Sequence, residues 1–257
     1  MEDYGQYDYG QHREAFDREG FVVVRNFLPP DEFAQLTDNL DRYLRDVVPN
    51  VPHHGAFYHD NSRPETLKQV QHMAQFDPFF EEYRTNPRWQ ALARAILGEA
   101  VNTQQPEWFN KPPGIDHPTP PHQDNYYFNL KPPNTASIWM ALDPVDEENG
   151  CLRYVIGSHL KGIRPHDQTS VLGFSQGVSD FSDADEDAEV AVSLQPADAV
   201  VHHCEAIHRA DANRSPTRHR RAFAIVYQGV SCKVDAEGRA KYEQALKNQH
   251  DGMGLGD

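Results

Sequence analysis

The sequence predicts a mainly β fold, a sandwich or barrel, with helices flanking it. Three observations favour this class. From Val101 onward, short β-prone runs alternate with segments rich in Pro, Gly, Asn and Asp. Helical patterns are confined to the first hundred residues and to one segment near the C-terminus. A length of 257 residues is enough to bury one substantial core, and all-β domains of this size are common.

The N-terminal part begins with a strand and continues into helices. The apolar run Phe21–Val24 predicts a short strand. After a Pro-Pro turn, apolar residues recur at helical spacing over 33–47, which predicts an amphipathic helix. A second helix is predicted to begin at Pro87 and to end at Gly98, because proline fits the first helical turn and glycine favours helix ends.

The remaining elements complete the predicted core. Five further runs are predicted strands: 135–142, 151–156, 189–194, 199–203 and 221–230. A last helix is predicted over 237–248. We therefore expect a single domain over residues 1–257, with a helical N-terminal part (about 1–100), a β core (about 101–232) and a C-terminal helix and tail (233–257).

The charge balance argues against nucleic acid and membranes as partners. With 24 Lys plus Arg against 39 Asp plus Glu, the net charge is −15, which repels phosphate backbones and anionic lipid headgroups. No apolar run approaches the roughly 20 residues of a bilayer span, and the polar N-terminus lacks a secretory signal pattern. Three cysteines without a pairing pattern indicate reduced thiols. We expect a cytoplasmic protein.

An acidic stretch, DFSDADEDAE at 180–189, carries part of this excess of negative charge. Its composition favours a solvated loop, and a mobile lid is the alternative. Both interpretations place the stretch at the surface.

The segment PPHQDN at 120–125 places a histidine and an aspartate two residues apart. On an extended strand such residues point to the same face, so His122 and Asp124 are predicted to present a nitrogen and a carboxylate oxygen to one point, while Gln123 faces away. In a chain with 14 histidines, about one His-x-Asp pair is expected by chance, so the neighbourhood must support the assignment.

A third ligand has to come from elsewhere in the chain. His208 is the best candidate, because it follows an apolar β-prone run and precedes the Asn-Arg-Ser turn at 213–215. His202 and His203, at the end of the predicted strand 199–203, are its rivals. Two imidazoles and one carboxylate on one face of an octahedron leave three positions open, which is the arrangement typical of non-haem iron(II) oxygenases.

Several motifs around this pair form a block. They are HQDNYYF at 122–128, IWMAL at 138–142, ENGCL at 148–152 and GSH at 157–159, joined by REGFVVVRNFL at 18–28 and RRA at 220–222. Together they resemble the phytanoyl-CoA dioxygenase family of iron(II)- and 2-oxoglutarate-dependent oxygenases. The resemblance spans nearly the whole chain.

The resemblance implies a double-stranded β-helix, the jelly-roll core of cupin-like proteins, with flanking helices. It implies that His122, Asp124 and His208 hold iron(II), so that His208 is favoured over its rivals. It also implies that 2-oxoglutarate and dioxygen are the co-substrates.

An arginine near the end of the barrel is implied to bind the distal carboxylate of 2-oxoglutarate. A planar guanidinium suits this task, because it can bind a carboxylate through two parallel hydrogen bonds. The family register favours Arg220, which stands in the expected position relative to Ala222 and Tyr227. Arg221 remains the alternative, since the loop that follows His208 is one residue longer than the commonest spacing.

Further residues match family positions near the co-substrate and substrate. Lys111 and Ser215 are implied to support 2-oxoglutarate, although a surface role fits Lys111 equally well. Trp139 matches a tryptophan that lines the barrel mouth in the family, with core packing as the alternative. The residues expected to orient the site or to contact the substrate are Gln123, Asn125 and Tyr127.

The resemblance implies that the protein hydroxylates an unactivated C–H bond of a small-molecule metabolite, with release of succinate and carbon dioxide. It does not select the substrate. The acidic balance favours a small polar metabolite, with amine-bearing molecules among the candidates. The alternative functions are a non-redox metal-binding barrel and a zinc-dependent hydrolase with the same three ligands, neither of which needs a carboxylate clamp. A binding protein with a relic site would require a missing ligand, and none is missing.

Overall fold

Two antiparallel sheets form the centre of the computed structural model, which describes residues 7–52, 54–115, 117–169 and 176–252. Short strands supply both sheets. They are β1 (Phe21–Val24), β2 (Ala56–Tyr58), β3 (Leu67–Val70), β4 (Val101–Thr103), β5 (Glu107–Lys111), β6 (Thr119–His122), β7 (Leu130–Lys131), β8 (Thr135–Ala141), β9 (Leu152–Val155), β10 (His166–Gln168), β11 (Gln176–Val178), β12 (Glu189–Val192), β13 (Ala199–His203), β14 (His208–Ala210), β15 (Arg220–Gly229) and β16 (Lys233–Val234).

The larger sheet has the strand order β1-β13-β8-β15-β5-β3-β2, and β4 also pairs with β15. The smaller sheet has the order β12-β9-β14-β6, while β10 with β11 and β7 with β16 form two separate ribbons. Spatial neighbours in both sheets come from distant parts of the chain, as in a jelly roll. The predicted class, mainly β with flanking helices, is confirmed.

Helices flank the two sheets. They are α1 (Arg13–Glu19), α2 (Pro30–Arg42), α3 (Met73–Phe76), α4 (Pro78–Tyr83), α5 (Pro87–Leu97), α6 (Asn125–Phe128), α7 (Asp183–Asp187) and α8 (Ala236–Gly252). The helix predicted from Pro87 has the expected bounds, since Gly98 ends it in a left-handed conformation. No helix in the described part of the chain is long and apolar enough to span a membrane.

Alternation along β8 separates two cores. Ile138 and Met140 pack with the helices, in a cluster that includes Trp89 and Leu36. The residues between them face the smaller sheet, so Trp139 packs in a second cluster with side chains from β9, β12 and β14. The period of two in a strand produces this division. The second cluster surrounds the interior of the barrel, which we call the chamber.

The N-terminal part contains two strands, β2 and β3, that the sequence does not predict. β1 pairs with β13, and β3 pairs with β5, so strands from the first hundred residues extend the larger sheet on both sides. The sequence 56–70 has no clear strand pattern because it is largely polar and is interrupted by Pro64, and β3 is held by pairing with the distant strand β5. The predicted C-terminal helix is confirmed, and it is longer than 237–248.

Candidate metal centre and co-substrate site

Three buried or half-buried side chains converge where the smaller sheet meets the chamber. His122 ends β6 and lies directly opposite His208, the first residue of β14. Asp124 Oδ1 lies 3.6 Å from His122 Nε2 and 3.8 Å from His208 Nε2. One ligand atom from each residue lies within 4.8 Å of the other two, so a single metal ion could contact all three.

The local geometry differs from the one predicted for His122 and Asp124. β6 ends at His122, and Asp124 has φ −57° and ψ −36°, which is a helical conformation at the start of α6. The two side chains therefore do not share a face of one strand. The backbone N–H of Tyr127 donates to the Asp124 carbonyl, and the N–H of Asn125 donates to the carbonyl of Cys204. These bonds turn the chain into a helical turn that brings the carboxylate back toward His122.

Both imidazoles are prepared to bind a metal through Nε2. His122 Nδ1 lies 2.9 Å from the Pro120 carbonyl oxygen, and His208 Nδ1 lies 3.1 Å from that of Ala206. A carbonyl only accepts, so each Nδ1 carries the proton and each Nε2 keeps its lone pair. Burial lowers the pKa of His122 and lowers that of His208 well below its usual value. Both rings are therefore neutral at pH 7.

Asp124 is held by its other oxygen. Ser137 donates to Oδ2 at 2.8 Å, and His202 Nε2 donates to the same oxygen at 3.2 Å. The Tyr154 hydroxyl lies 2.9 Å from His202 Nδ1, and the ring of Phe21 stacks on Tyr154 with centroids 4.4 Å apart. Burial alone would raise the pKa of Asp124, but the bond from His202 and the surrounding imidazoles hold it below its usual range. Oδ1 is left to face the two Nε2 atoms.

The sequence offered His202 as an alternative metal ligand, but in the structure it has a different role. It contacts the carboxylate rather than replacing His208, and only the pairing of β13 with β8 places it beside Ser137. His203 points the other way, toward Phe16 and His159. No sequence pattern identifies this support of Asp124, because its members come from four separate segments.

We expect His202→Phe to weaken metal binding by roughly 10–100-fold, because the variant no longer orients the Asp124 carboxylate. Calorimetric titration with Zn(II), and anaerobic titration with Fe(II), would measure the change. His203→Phe is the matched control on the same strand and should keep the wild-type affinity. Equal affinities in wild type and His202→Phe, with both proteins folded, would contradict this role.

Arg220 is a buried cation that faces the chamber. It is only 4% exposed, and its Cζ lies 5.3 Å from the ring centroid of Trp139. Among the described residues no carboxylate forms an ion pair with it, and its Nε has no hydrogen-bond partner. Burial lowers the pKa of Arg220 to about 10, so the guanidinium is still charged at neutral pH. A buried charge of this kind is costly unless an anion pairs with it.

The rival arginine has an acidic partner of its own. Arg221 faces the opposite side of β15, where its guanidinium binds Asp143 with contacts of 2.6 and 2.9 Å. Arg218 is likewise engaged by Asp146 and Glu148 at the surface. Neither Arg221 nor Arg218 can bind the carboxylate of a co-substrate without breaking these ion pairs.

Lys111 lies directly opposite Arg220 on β5 and is also buried. Burial lowers its pKa well below the usual value, and the charge of Arg220 contributes. Its Nζ donates to the carbonyl of His117 at 2.9 Å. Gly150 (φ +82°) packs closely against the Lys111 side chain. A Cβ at this position would lie 3.2 Å from Lys111 Cδ and 2.5 Å from the Asp211 carbonyl oxygen, so a larger residue would clash. Two basic side chains, Arg220 and Lys111, therefore share one end of the chamber.

Ser215 is buried in the loop between β14 and β15. Its N–H donates to the Asn213 side chain, and its Oγ accepts from the N–H of Arg218. Asn213 in turn donates to the Lys111 carbonyl. These contacts tie the loop to the strand that carries Lys111.

The predicted substrate residues fall into two groups. Gln123 uses its amide on the carbonyls of Gly162 and Glu205 and on the N–H of Arg164, and Asn125 bonds with the backbone of Leu130 and with Glu205. Both therefore brace the turn after His122. Tyr127 lies nearer the metal ligands, with its ring 6.3 Å from that of His122, and Trp139 lines the chamber.

The acidic stretch 180–189 contains the short helix α7, begun by a capping box between Ser182 and Asp185. Arg164 pairs with both Asp180 and Asp185. Because the N–H of Arg164 also donates to Gln123, the stretch is linked to the residue that follows His122.

Comparisons with known proteins agree with this geometry. A family model described as Phytanoyl-CoA dioxygenase (PhyH) matches residues 16–222. Peroxisomal phytanoyl-CoA dioxygenase of Bos taurus is 24% identical over 248 residues, which cover 90% of this chain and 72% of that protein.

Two solved structures share the architecture. EvdO2 from Micromonospora carbonacea var. aurantiaca, complexed with 2-oxoglutarate, is similar with a TM-score of 0.69 and 25% identity, covering 92% of this chain and 96% of that one. The epimerase SnoN, in complex with Fe3+, alpha ketoglutarate and nogalamycin RO, is similar with a TM-score of 0.70 and 22% identity, covering 90% and 88%. The likeness to SnoN shows the fold alone.

Proposed function

The chain belongs to the phytanoyl-CoA dioxygenase family, and from this premise we propose that it hydroxylates an unactivated C–H bond of a small polar metabolite. The protein is a 2-oxoglutarate-dependent non-haem iron dioxygenase, and its cofactors are Fe(II), 2-oxoglutarate and dioxygen. When bound, these supply the oxidant, and succinate and carbon dioxide are released.

The proposal rests on the presence of a candidate metal site and a basic site in the same chamber. Three metal-ligand atoms converge on one point, and two buried basic side chains, the charged Arg220 and its neighbour Lys111, lie together elsewhere in the chamber. A dicarboxylate fits both, because one end can reach the metal while the other pairs with a guanidinium. A zinc hydrolase or a non-redox metal barrel would leave Arg220 and Lys111 without a function.

We assign each residue a task on this basis. His122, Asp124 and His208 hold the metal, and Ser137 and His202 keep the Asp124 carboxylate turned toward it. Neutral imidazoles bind without first losing a proton.

Arg220 binds the distal carboxylate of 2-oxoglutarate, with Lys111 beside it and Ser215 supporting the adjacent loop. Trp139 covers the guanidinium and, together with Tyr127, forms walls that we expect to meet the substrate. The apolar lining around them keeps water away from the charged groups, which strengthens their interactions.

A small-molecule substrate and a cytoplasmic location are part of the same proposal. Apolar walls combined with a small set of convergent polar groups are typical of small-molecule sites. None of the three cysteines forms a disulfide, which is compatible with a reducing compartment.

The test uses the wild-type protein under anaerobic conditions with Fe(II) and 2-oxoglutarate. We expect a metal-to-ligand charge-transfer band, and on admission of oxygen we expect succinate release that requires iron, 2-oxoglutarate and oxygen together. His122→Ala serves as the control and should lose the band. A wild-type protein without the band, or a His122→Ala variant with a band of full strength, would overturn the assignment.

A further inference from the structure

A half-buried carboxylate that faces the chamber is not used by the metal or the co-substrate. Glu107, on β5, lies directly opposite Ala224 on β15, which itself lies opposite Trp139 on β8. Directly paired residues project to the same face of a sheet. Glu107 therefore faces the same space as Trp139 and, one step along β8, Ser137, whose hydroxyl binds Asp124.

The polar surroundings of Glu107 are sparse. Its one hydrogen bond in the described part of the chain comes from Gln69 Nε2, at 3.0 Å from Oε2. No lysine, arginine or histidine among those residues pairs with it, although the chain forms many other carboxylate ion pairs. Burial raises the pKa of Glu107 to about 7, and the charge of Asp124 acts in the same direction.

Distance separates the Glu107 carboxylate from the two basic side chains Arg220 and Lys111. Glu107 lies four residues from Lys111 on the same strand, which corresponds to about 13 Å at roughly 3.3 Å per residue. Between the two, β15 presents the small side chains Ala222 and Ala224 to the chamber, and β5 presents Phe109, which lies opposite Ala222. The chamber thus has a basic end and a separate acidic wall, with the ring of Phe109 on the strand between them.

Gln69 completes the acidic wall. Its amide nitrogen faces Glu107, so its carbonyl oxygen points away, and that oxygen has no hydrogen-bond partner among the described residues. An ionised carboxylate and an amide carbonyl both accept hydrogen bonds and neither donates. The wall is complementary to a group with several N–H donors and a positive charge.

We propose that Glu107 and Gln69 form the substrate-recognition subsite and that the substrate carries a protonated amine. This inference rests on the proposed function, because it assumes that iron and 2-oxoglutarate occupy the rest of the chamber. An ammonium group gives Glu107 the counter-ion that the protein itself does not provide, and such charge-assisted bonds are the strong ones in a dry site. The amine anchors the molecule while a more distant carbon approaches the metal.

The experiment measures amine binding by its effect on the charge-transfer band of the anaerobic Fe(II)–2-oxoglutarate protein. The probes are glucosamine, putrescine, tyramine and lysine, each compared with its fully N-acetylated form, in which no amine can be protonated. We expect at least one amine, and none of the acetylated forms, to perturb the wild-type band. In Glu107→Gln the band itself should persist, while the affinity for that amine should fall by about tenfold or more.

Controls separate the possible failures. Glu186→Gln, an exposed carboxylate change on α7, should behave as wild type, and Gln69→Leu should weaken amine binding less than Glu107→Gln. If wild type shows no band at all, the proposed function fails, and this inference fails with it.

Other outcomes overturn the amine subsite alone. They are a normal wild-type band that no amine perturbs, acetylated probes that bind as well as free amines, and an unchanged amine affinity in Glu107→Gln. Loss of 2-oxoglutarate affinity in Glu107→Gln would also overturn it, because it would place Glu107 at the co-substrate.

Discussion

Replacing Asp124 with alanine is expected to abolish stable iron binding and all turnover. The carboxylate supplies one of three ligand atoms, and its Oδ1 is the only negatively charged atom in the cluster of candidate ligands. The loss should exceed the roughly 10–100-fold expected for His202→Phe, because a ligand is removed rather than its support. Metal titration and the charge-transfer band would measure it.

Asp38→Ala provides the matched control for this change. Asp38 is an exposed aspartate on α2, far from the chamber, so its loss should leave metal affinity unchanged. Circular dichroism should show that both variants are folded. An Asp124→Ala protein that binds Fe(II) with wild-type affinity would disprove the proposed metal centre.

Arg220→Leu is expected to raise the KM for 2-oxoglutarate by about 30-fold or more while leaving metal affinity near the wild-type value. A buried charge pair that loses one partner typically costs roughly 2–5 kcal/mol, since the other charge is left without compensation. Here the uncompensated charge would be the distal carboxylate of the co-substrate. Steady-state kinetics and anaerobic titration of 2-oxoglutarate would report the change.

The neighbouring arginine gives a strict comparison. Arg221→Leu breaks the ion pair with Asp143 on the opposite face of β15, so it should affect stability more than the KM for 2-oxoglutarate. If instead Arg221→Leu raised the KM and Arg220→Leu did not, the clamp would belong to Arg221. The two variants together therefore decide which arginine acts.

The sequence allowed the regular parts of the fold to be predicted because their side chains follow a strong local pattern. β13 has the predicted bounds, and β8 and β15 differ from them by one residue at the ends. These strands lie in the middle of the larger sheet and are apolar on both faces. β6, by contrast, reads Thr-Pro-Pro-His and has no strand pattern; it lies at the edge of the smaller sheet, where proline is tolerated.

Within the candidate site, only those residues could be predicted that match a motif position of the family. His122, Asp124 and His208 were named from motif and resemblance, and the structure brings them together, although the strand geometry predicted for Asp124 was wrong. The roles suggested here for His202 and Glu107 depend on register between strands distant in sequence. Contacts between distant strands cannot be predicted from the local amino-acid composition.

Strand β1 has a practical consequence for work with shortened or tagged proteins. It forms the outer edge of the larger sheet. There Phe21 pairs with His202, and the ring of Phe21 stacks on the ring of Tyr154. A protein that starts after Val24 would expose the edge of β13 and leave that tyrosine unsupported, so its iron content should drop even though every ligand is retained. Affinity tags and fusion partners are therefore best attached upstream of α1, and N-terminal trimming should be judged by metal stoichiometry rather than by yield.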